Sequence, residues 1–141
     1  MELKPYVRKI NYYETDQMQV VHHSNYARYL EEARLDLMEQ VGLPYEKMEE
    51  LGIIIPVLEL HNYFTQALHF GDTVEIYPHI IRLTPVRFNL RYEIKSMDGQ
   101  LLHTAETSHG FVDTEFRPMS LKRKHPDIYA NMLQYVEDDS L

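Results

Sequence analysis

The 141 residues, 44% hydrophobic and without cysteine, are the size of one domain with its own core; disulfides and thiolate metal sites are excluded. The net charge of −8, from 14 basic and 22 acidic side chains, disfavours nucleic-acid binding, which depends on neutralising phosphates. With no signal-peptide core and no run near the ~18–20 apolar residues of a membrane span, the sequence predicts a single cytosolic domain over residues 1–141.

The first part of the chain predicts a strand, a loop and the clearest helix. Residues 6–13 are rich in Tyr, Val and Ile, as strands are, and the polar, irregular residues 14–23 predict a loop. An apolar stripe at three- and four-residue steps then predicts a helix. The stripe consists of Tyr26, Leu30, Ala33, Leu37 and Val41. Ser24 or Asn25 is the expected N-cap, and Gly42 is expected to end the helix.

The remainder predicts mostly strands. The predicted elements are a short helix at 44–51, strands at 53–68, 74–83, 86–95 and 101–113, and a last helix at 126–136. The strand at 86–95 alternates strictly between apolar and polar residues, so one of its faces should be buried. Asp98-Gly99 predicts a tight hairpin, because such turns require positive φ. One amphipathic helix on one antiparallel sheet is an α+β architecture.

Reactive side chains concentrate in the loop between the first strand and the long helix. Asp16 and His23 stand seven residues apart, and Tyr12 precedes Asp16 by four. His23 adjoins the helix start, where free N–H groups and the helix dipole favour the negative charge of an oxyanion. A nearby carboxylate can attack a carbonyl or take a proton from water.

Each of these residues also has a structural interpretation. An Asp before a helix is often a turn-former, and a Tyr at a strand end often belongs to the core or its rim. His22 and His23 are poorly placed to bind one metal ion, because neighbouring side chains do not easily face the same point and no third ligand has a recognisable spacing. We therefore expect neither a metal nor another cofactor.

The loop and the helix together resemble a known family. The run from Tyr13 to Tyr26 reads Tyr-x-Thr-Asp-x-x-x-Val-Val-x-His-x-Asn-Tyr, and a helix with Glu31 and Arg34 follows. This pattern resembles the YbgC/4-hydroxybenzoyl-CoA thioesterase family of hot-dog proteins. The likeness continues, through individually generic matches, from about residue 6 to residue 126.

The resemblance implies a curved antiparallel sheet wrapped around one long central helix, the hot-dog fold. It further implies a homodimer or homotetramer with active sites between subunits. The activity implied is hydrolysis of acyl-coenzyme A to free acid and coenzyme A. Asp16 would act as nucleophile or general base, the His23 amide would polarise the thioester carbonyl, and Tyr12 would lie near Asp16.

Further residues are expected to bind the substrate. The predicted acyl and thioester contacts are Val21, Asn25 and Tyr29. The basic side chains expected to reach the phosphates of coenzyme A are Arg117, Lys122, Arg123 and Lys124. A solvated basic loop is the alternative interpretation of that second group.

Three alternatives stay open. The substrate carrier can be acyl-carrier protein, the reaction can be dehydration, or the protein can bind acyl-CoA or act as a scaffold without catalysis. The Tyr-x-Thr-Asp pattern disfavours dehydration. The sequence also departs from many relatives at Gln19, where they carry Gly, a residue that avoids the ~1–2 kcal/mol cost of a left-handed backbone.

Overall fold

Residues 2–137, the part that the computed structural model describes, form a five-stranded antiparallel sheet, one 17-residue helix and three shorter helices. Met1 and residues 138–141 lie outside the described part. The strands are β1 (Tyr6–Lys9), β2 (Val57–Phe64), β3 (Thr73–Leu83), β4 (Arg87–Ser96) and β5 (Leu101–Gly110). The helices are α1 (Ser24–Gln40), α2 (Tyr45–Leu51), α3 (Leu121–Lys124) and α4 (Pro126–Leu133). Within these residues no helix is both long enough and apolar enough to cross a bilayer.

The sheet has the spatial order β1-β3-β4-β5-β2, so β1 and β2 are its edges. The predicted alternation in β4 is confirmed: its fully buried side chains are Phe88, Leu90, Tyr92 and Ile94. The apolar stripe of α1 is buried as predicted, and Tyr26 packs on β5 with its ring 4.4 Å from that of His103. The core therefore lies between α1 and the sheet.

The start of the chain differs from the prediction. β1 ends at Lys9, and a 3-10 turn over Tyr12–Glu14 replaces the expected end of the strand. The cause is local, since the Glu14 carboxylate accepts a hydrogen bond from the Asn11 amide at 2.9 Å while the Glu14 amide donates to the Asn11 carbonyl at 3.0 Å. These two bonds close the turn and break the strand pattern.

The predicted strand at 53–68 is wrong in extent. Only Val57–Phe64 joins the sheet, because Pro56 has no N–H to donate, and Ile54 bridges to Val112 instead. This strand forms one edge of the sheet. Towards the end of the chain, β5 stops at Gly110, and the helix predicted at 126–136 ends at Leu133.

Two predicted glycine turns are confirmed. Gly42 follows the last turn of α1 with φ +93°, and Gly99 forms the β4–β5 hairpin with φ +92°. Both angles lie in the region that side chains with a Cβ rarely adopt. The hairpin fixes β5 against β4, and Gly42 turns the chain away from α1 towards α2.

Candidate active site

The loop before α1 folds into a small hairpin that carries Asp16 to the start of that helix. Thr15 forms an isolated bridge with Val21, and the Asp16 amide donates to the Val20 carbonyl at 2.9 Å. The His22 amide donates to the Glu14 carbonyl at 2.9 Å. Along this hairpin, Asp16 thus lies two residues, roughly 7 Å of extended backbone, from Glu14, the residue paired with His22.

The Asp16 carboxylate is half-buried and held in one orientation. Its Oδ1 accepts a hydrogen bond from the Met18 amide at 2.8 Å, which is the geometry of an Asx turn. Oδ2 has no hydrogen-bond partner in the described chain. The turn-forming interpretation is therefore confirmed, and it leaves one carboxylate oxygen available for chemistry.

The start of α1 is built differently from the prediction. Neither Ser24 nor Asn25 caps it, because Ser24 is already helical and the Asn25 side chain donates to the Glu14 carbonyl at 2.8 Å. Instead, Nδ1 of His22 accepts from the Ser24 amide at 3.2 Å and contacts the Ser24 hydroxyl at 2.9 Å. His23 is the N-cap residue, and its amide makes no hydrogen bond within residues 2–137.

Gln19 adopts the conformation that glycine would supply. Its φ is +63°, in the left-handed region. The Gln19 carbonyl accepts from the Phe70 amide at 3.2 Å, and the neighbouring Val21 amide donates to the Leu68 carbonyl at 2.8 Å. These two bonds hold the hairpin against the segment before β3 and offset the cost of the strained backbone, which is ~1–2 kcal/mol.

Glu14 holds the loop in place through a buried ion pair, a role that was not predicted from the sequence. Glu14 is 4% exposed as a residue. Its carboxylate accepts hydrogen bonds from both terminal nitrogens of Arg8 at 2.9 and 2.6 Å, while Nε of Arg8 donates to Glu32 at 2.8 Å. Burial opposes ionisation, but Arg8 and the Asn11 amide hold the pKa of Glu14 below its ordinary value. The available signal was the Asn-x-x-Glu spacing from Asn11 to Glu14, which is typical of a capping box.

The other predicted catalytic and acyl contacts fall into two groups. Tyr12 is 71% exposed, and its ring meets Phe70 edge-on at 5.5 Å. Val21 and Tyr29 are buried in the core of the chain. The Tyr29 hydroxyl lies near Glu14 without a hydrogen bond of normal geometry, and burial together with that carboxylate raises the pKa of Tyr29.

The predicted phosphate-binding residues lie at the far end of the sheet from Asp16. The loop adjoins Phe64, whose ring is 5.0 Å from that of Tyr26 in the first turn of α1. The basic residues of α3 lie at the opposite end of β2. The Leu121 amide, at the start of α3, donates to the Pro85 carbonyl, and Pro85 lies beside the Val57 end of β2. Seven residue steps of β2, about 23 Å, separate the two ends.

Within that basic group, Arg117 is partly neutralised. Its guanidinium pairs with Glu115 at 2.9 Å and with Asp113 at 3.4 Å. Lys122, Arg123 and Lys124 are exposed on α3 and have no carboxylate within ion-pair distance in the described residues. One chain therefore does not bring its own Asp16 and its own basic group together.

Comparisons with known proteins agree on one family. A sequence model described as the thioesterase-like superfamily matches residues 10–133. YneP of Bacillus subtilis, provisionally named an acyl-CoA thioesterase, is 32% identical over 120 residues, 84% of this chain and 87% of that protein. A 1,4-dihydroxy-2-naphthoyl-CoA hydrolase of Thermosynechococcus vestitus is 30% identical over 108 residues, 76% of this chain and 74% of that protein. The crystal structure of a DHNA-CoA thioesterase from Staphylococcus aureus aligns with a TM-score of 0.87 at 30% identity, covering 93% of this chain and 89% of that one.

Proposed function

The chain belongs to the thioesterase-like superfamily, and from this membership we propose that it hydrolyses acyl-coenzyme A thioesters to the free acid and coenzyme A. It is a thioester hydrolase with the hot-dog fold. The names of two relatives that are 30% or more identical, which refer to acyl-CoA and naphthoyl-CoA, support coenzyme A as the carrier. Within the superfamily we assign it to the YbgC/4-hydroxybenzoyl-CoA branch on the Tyr-x-Thr-Asp run, with α1 as the central helix of the fold.

One observation carries the mechanism: the hairpin sets a fixed carboxylate beside a helix start with an unused amide. Asp16 has one free oxygen, and the His23 amide is available at the positive end of α1. In the proposed reaction, that amide stabilises the oxyanion formed when the thioester carbonyl is attacked. Asp16 either attacks the carbonyl itself, forming a mixed anhydride that water then hydrolyses to the free acid, or removes a proton from the attacking water. The C–S bond then breaks, and coenzyme A leaves as the thiolate.

We further propose that the working unit is a dimer formed through β2. The two edges of the sheet are unequal, because β1 has four residues and β2 has eight. Five large apolar residues of β2 are 42–58% exposed: Val57, Leu58, Leu60, Tyr63 and Phe64. A long, apolar, unpaired edge is a template for pairing with a second copy. A two-fold axis through β2 would make this contact self-complementary.

Such a dimer would complete the site. In an antiparallel pairing of two copies of β2, the Val57 end of one strand lies opposite the Phe64 end of the other. The basic side chains of α3 in one subunit would therefore approach the Asp16 loop of the other. This removes the separation of about 23 Å within one chain and gives the coenzyme A phosphates cations to bind.

The catalytic proposal is tested by thiol release from acyl-CoA and from acyl-carrier protein, measured for wild type, Asp16→Ala and Asp16→Asn. We expect both variants to lose at least 10³-fold in kcat while they keep the wild-type unfolding midpoint, because a catalytic carboxylate contributes on that scale. Asp127→Asn, on the exposed first turn of α4, is the matched control and should retain full activity. Unchanged kcat in Asp16→Ala refutes the mechanism. Ligand-induced stabilisation without thiol release indicates a binding protein instead.

The shared site is tested by mixing two defective chains. One carries Asp16→Asn, and the other carries Lys122→Glu with Arg123→Glu. If the basic group acts across the dimer, each mixed dimer has one intact site, and subunit exchange restores about a quarter of wild-type kcat/KM. If the group serves its own chain, both sites of the mixed dimer are damaged and no activity returns.

A further inference from the structure

Asn25 links the start of α1 to the loop that carries Asp16. Its side-chain nitrogen donates a hydrogen bond to the Glu14 carbonyl at 2.8 Å. The same carbonyl accepts from the His22 amide at 2.9 Å, and the Asn25 backbone amide donates to the His22 carbonyl at 2.9 Å. One hydrogen bond alone would let the loop pivot about the Glu14 carbonyl. Because two donors from different residues converge on it, the loop has one orientation relative to α1.

The orientation of the Asn25 side chain is fixed at both of its polar atoms. While the nitrogen donates to the Glu14 carbonyl, Oδ1 accepts from Nη1 of Arg28 at 3.1 Å. A flipped side chain would set oxygen against oxygen at Glu14 and N–H against N–H at Arg28, so the two partners allow one arrangement. Since both polar atoms are engaged within the chain, the geometry favours a positioning role for Asn25 over the substrate contact expected from the sequence.

The acceptor end of this link is itself immobilised. The Glu14 carboxylate is buried and accepts from Nη2 of Arg8 at 2.6 Å, and the Glu14 amide donates to the Asn11 carbonyl at 3.0 Å. Glu14 is therefore held from its side chain and from its own amide. The carbonyl that Asn25 contacts is a fixed point, and the start of α1 is aligned to it.

The link lies between the two groups of the proposed reaction. Glu14 precedes Asp16 by two residues, and Asn25 follows His23 by two residues. The His23 amide is the proposed oxyanion donor, and Asp16 supplies the carboxylate. The hydrogen bond between Asn25 and Glu14 thus sets the distance and angle between that amide and that carboxylate. Misplacement of a reacting group by about 1 Å can lower a rate on the order of 100-fold.

We propose that Asn25 is a positioning residue for thioester hydrolysis. It holds the Asp16 loop against the start of α1, so that the carboxylate and the His23 amide stay aligned on the same thioester carbonyl. This inference rests on the proposed thioesterase function and adds a residue that acts through the geometry of the site. Because Asn25 itself does not contact the reacting atoms, its loss should change kcat rather than KM.

The first test measures kcat and KM for thiol release in wild type and Asn25→Ala. The substrate is whichever of acetyl-CoA, hexanoyl-CoA and benzoyl-CoA the wild type hydrolyses fastest. We expect kcat to fall about 10- to 100-fold and KM to change less than about threefold. Asn25→Gln keeps an amide on a longer side chain and should lie between Asn25→Ala and wild type. Arg28→Met is the matched control: it removes the partner of Oδ1, leaves the Glu14 bond and should keep kcat within about twofold.

A double-mutant cycle with Asp16→Asn separates positioning from an independent contribution. If Asn25 acts through Asp16, Asn25→Ala should lower kcat less than about twofold in the Asp16→Asn background, because no carboxylate remains to be aligned. Equal losses in both backgrounds, an unchanged kcat, or an effect confined to KM overturns the positioning role. If Asn25→Ala does not fold, Asn25→Gln takes its place in the same cycle. Absence of thiol release by wild type from all three substrates, or an unchanged kcat in Asp16→Asn, refutes the proposed function instead.

Discussion

Replacing Glu14 with glutamine should destabilise the fold more than any other loss of a single charge in the loop. The change leaves Arg8, whose side chain is 15% exposed, without its shorter ion pair at 2.6 Å. Breaking a fully buried pair costs about 3–5 kcal/mol. Arg8 keeps Glu32 at 2.8 Å, and Gln can still accept one hydrogen bond, so we expect a loss of about 2–3 kcal/mol in the free energy of unfolding.

Urea unfolding measures this loss through the midpoint at an unchanged m-value. Glu32→Gln is the matched control, since it removes the other partner of the same guanidinium. The Glu32 side chain is 35% exposed, against 5% for Glu14, so its loss should cost no more than about 1 kcal/mol. The buried-network reasoning is refuted if Glu14→Gln costs less than about 0.5 kcal/mol or no more than the control.

The ion pair between Arg8 and Glu14 predicts that the stability of the fold depends on pH. Because the pKa of Glu14 is lower in the folded chain than its ordinary value of 4.5, the unfolded state binds the proton more readily. Its stabilising contribution is therefore complete above about pH 5 and is lost as the pH falls through the folded-state pKa. Wild type should lose stability relative to Glu14→Gln on acidification below pH 5, and parallel stability–pH curves for the two proteins would contradict this.

Three other outcomes can be measured on the same protein. Gln19→Gly should raise the free energy of unfolding by up to about 1 kcal/mol, because relief of the left-handed strain exceeds the entropic cost of glycine; a lower urea midpoint would contradict this. Leu58→Lys should shift sedimentation from dimer to monomer, whereas Val7→Lys on the opposite edge strand should not, and an unshifted Leu58→Lys would argue against pairing through β2. Tyr92→Phe should lower the free energy of unfolding by about 1 kcal/mol, because it removes the buried hydrogen bond to Thr107. An unchanged midpoint of thermal unfolding would contradict this.

Local patterns predicted much of the fold. The alternation in β4 and the stripe of α1 report the periods of a strand and a helix, so both were located within a residue or two. The error at 53–68 has another origin. An apolar run does not show where strand pairing begins, and Pro56, which has no N–H to donate, leaves the strand to start at Val57.

The candidate site shows the same division. The residue types and spacing around Asp16 predicted a polar loop with reactive side chains before a helix, and the resemblance supplied its chemistry. Helix capping by His22 was missed because capping by Ser, Thr, Asp or Asn is the usual pattern. The charge network of Glu14 was missed because Arg8 and Glu32 come from β1 and α1, which are distant in sequence from each other.

The sequence by itself determined the order of the five strands and of α1, α2 and α4, the amphipathic faces and the placement of Asp16 before a helix, because each follows from backbone geometry over a few neighbouring residues. Only the tertiary structure decided that β2 is an exposed edge and that the basic residues of α3 lie a strand's length from Asp16. These features join residues far apart in the chain, and their geometry depends on how strands pair and how the helix crosses them, which no local pattern encodes.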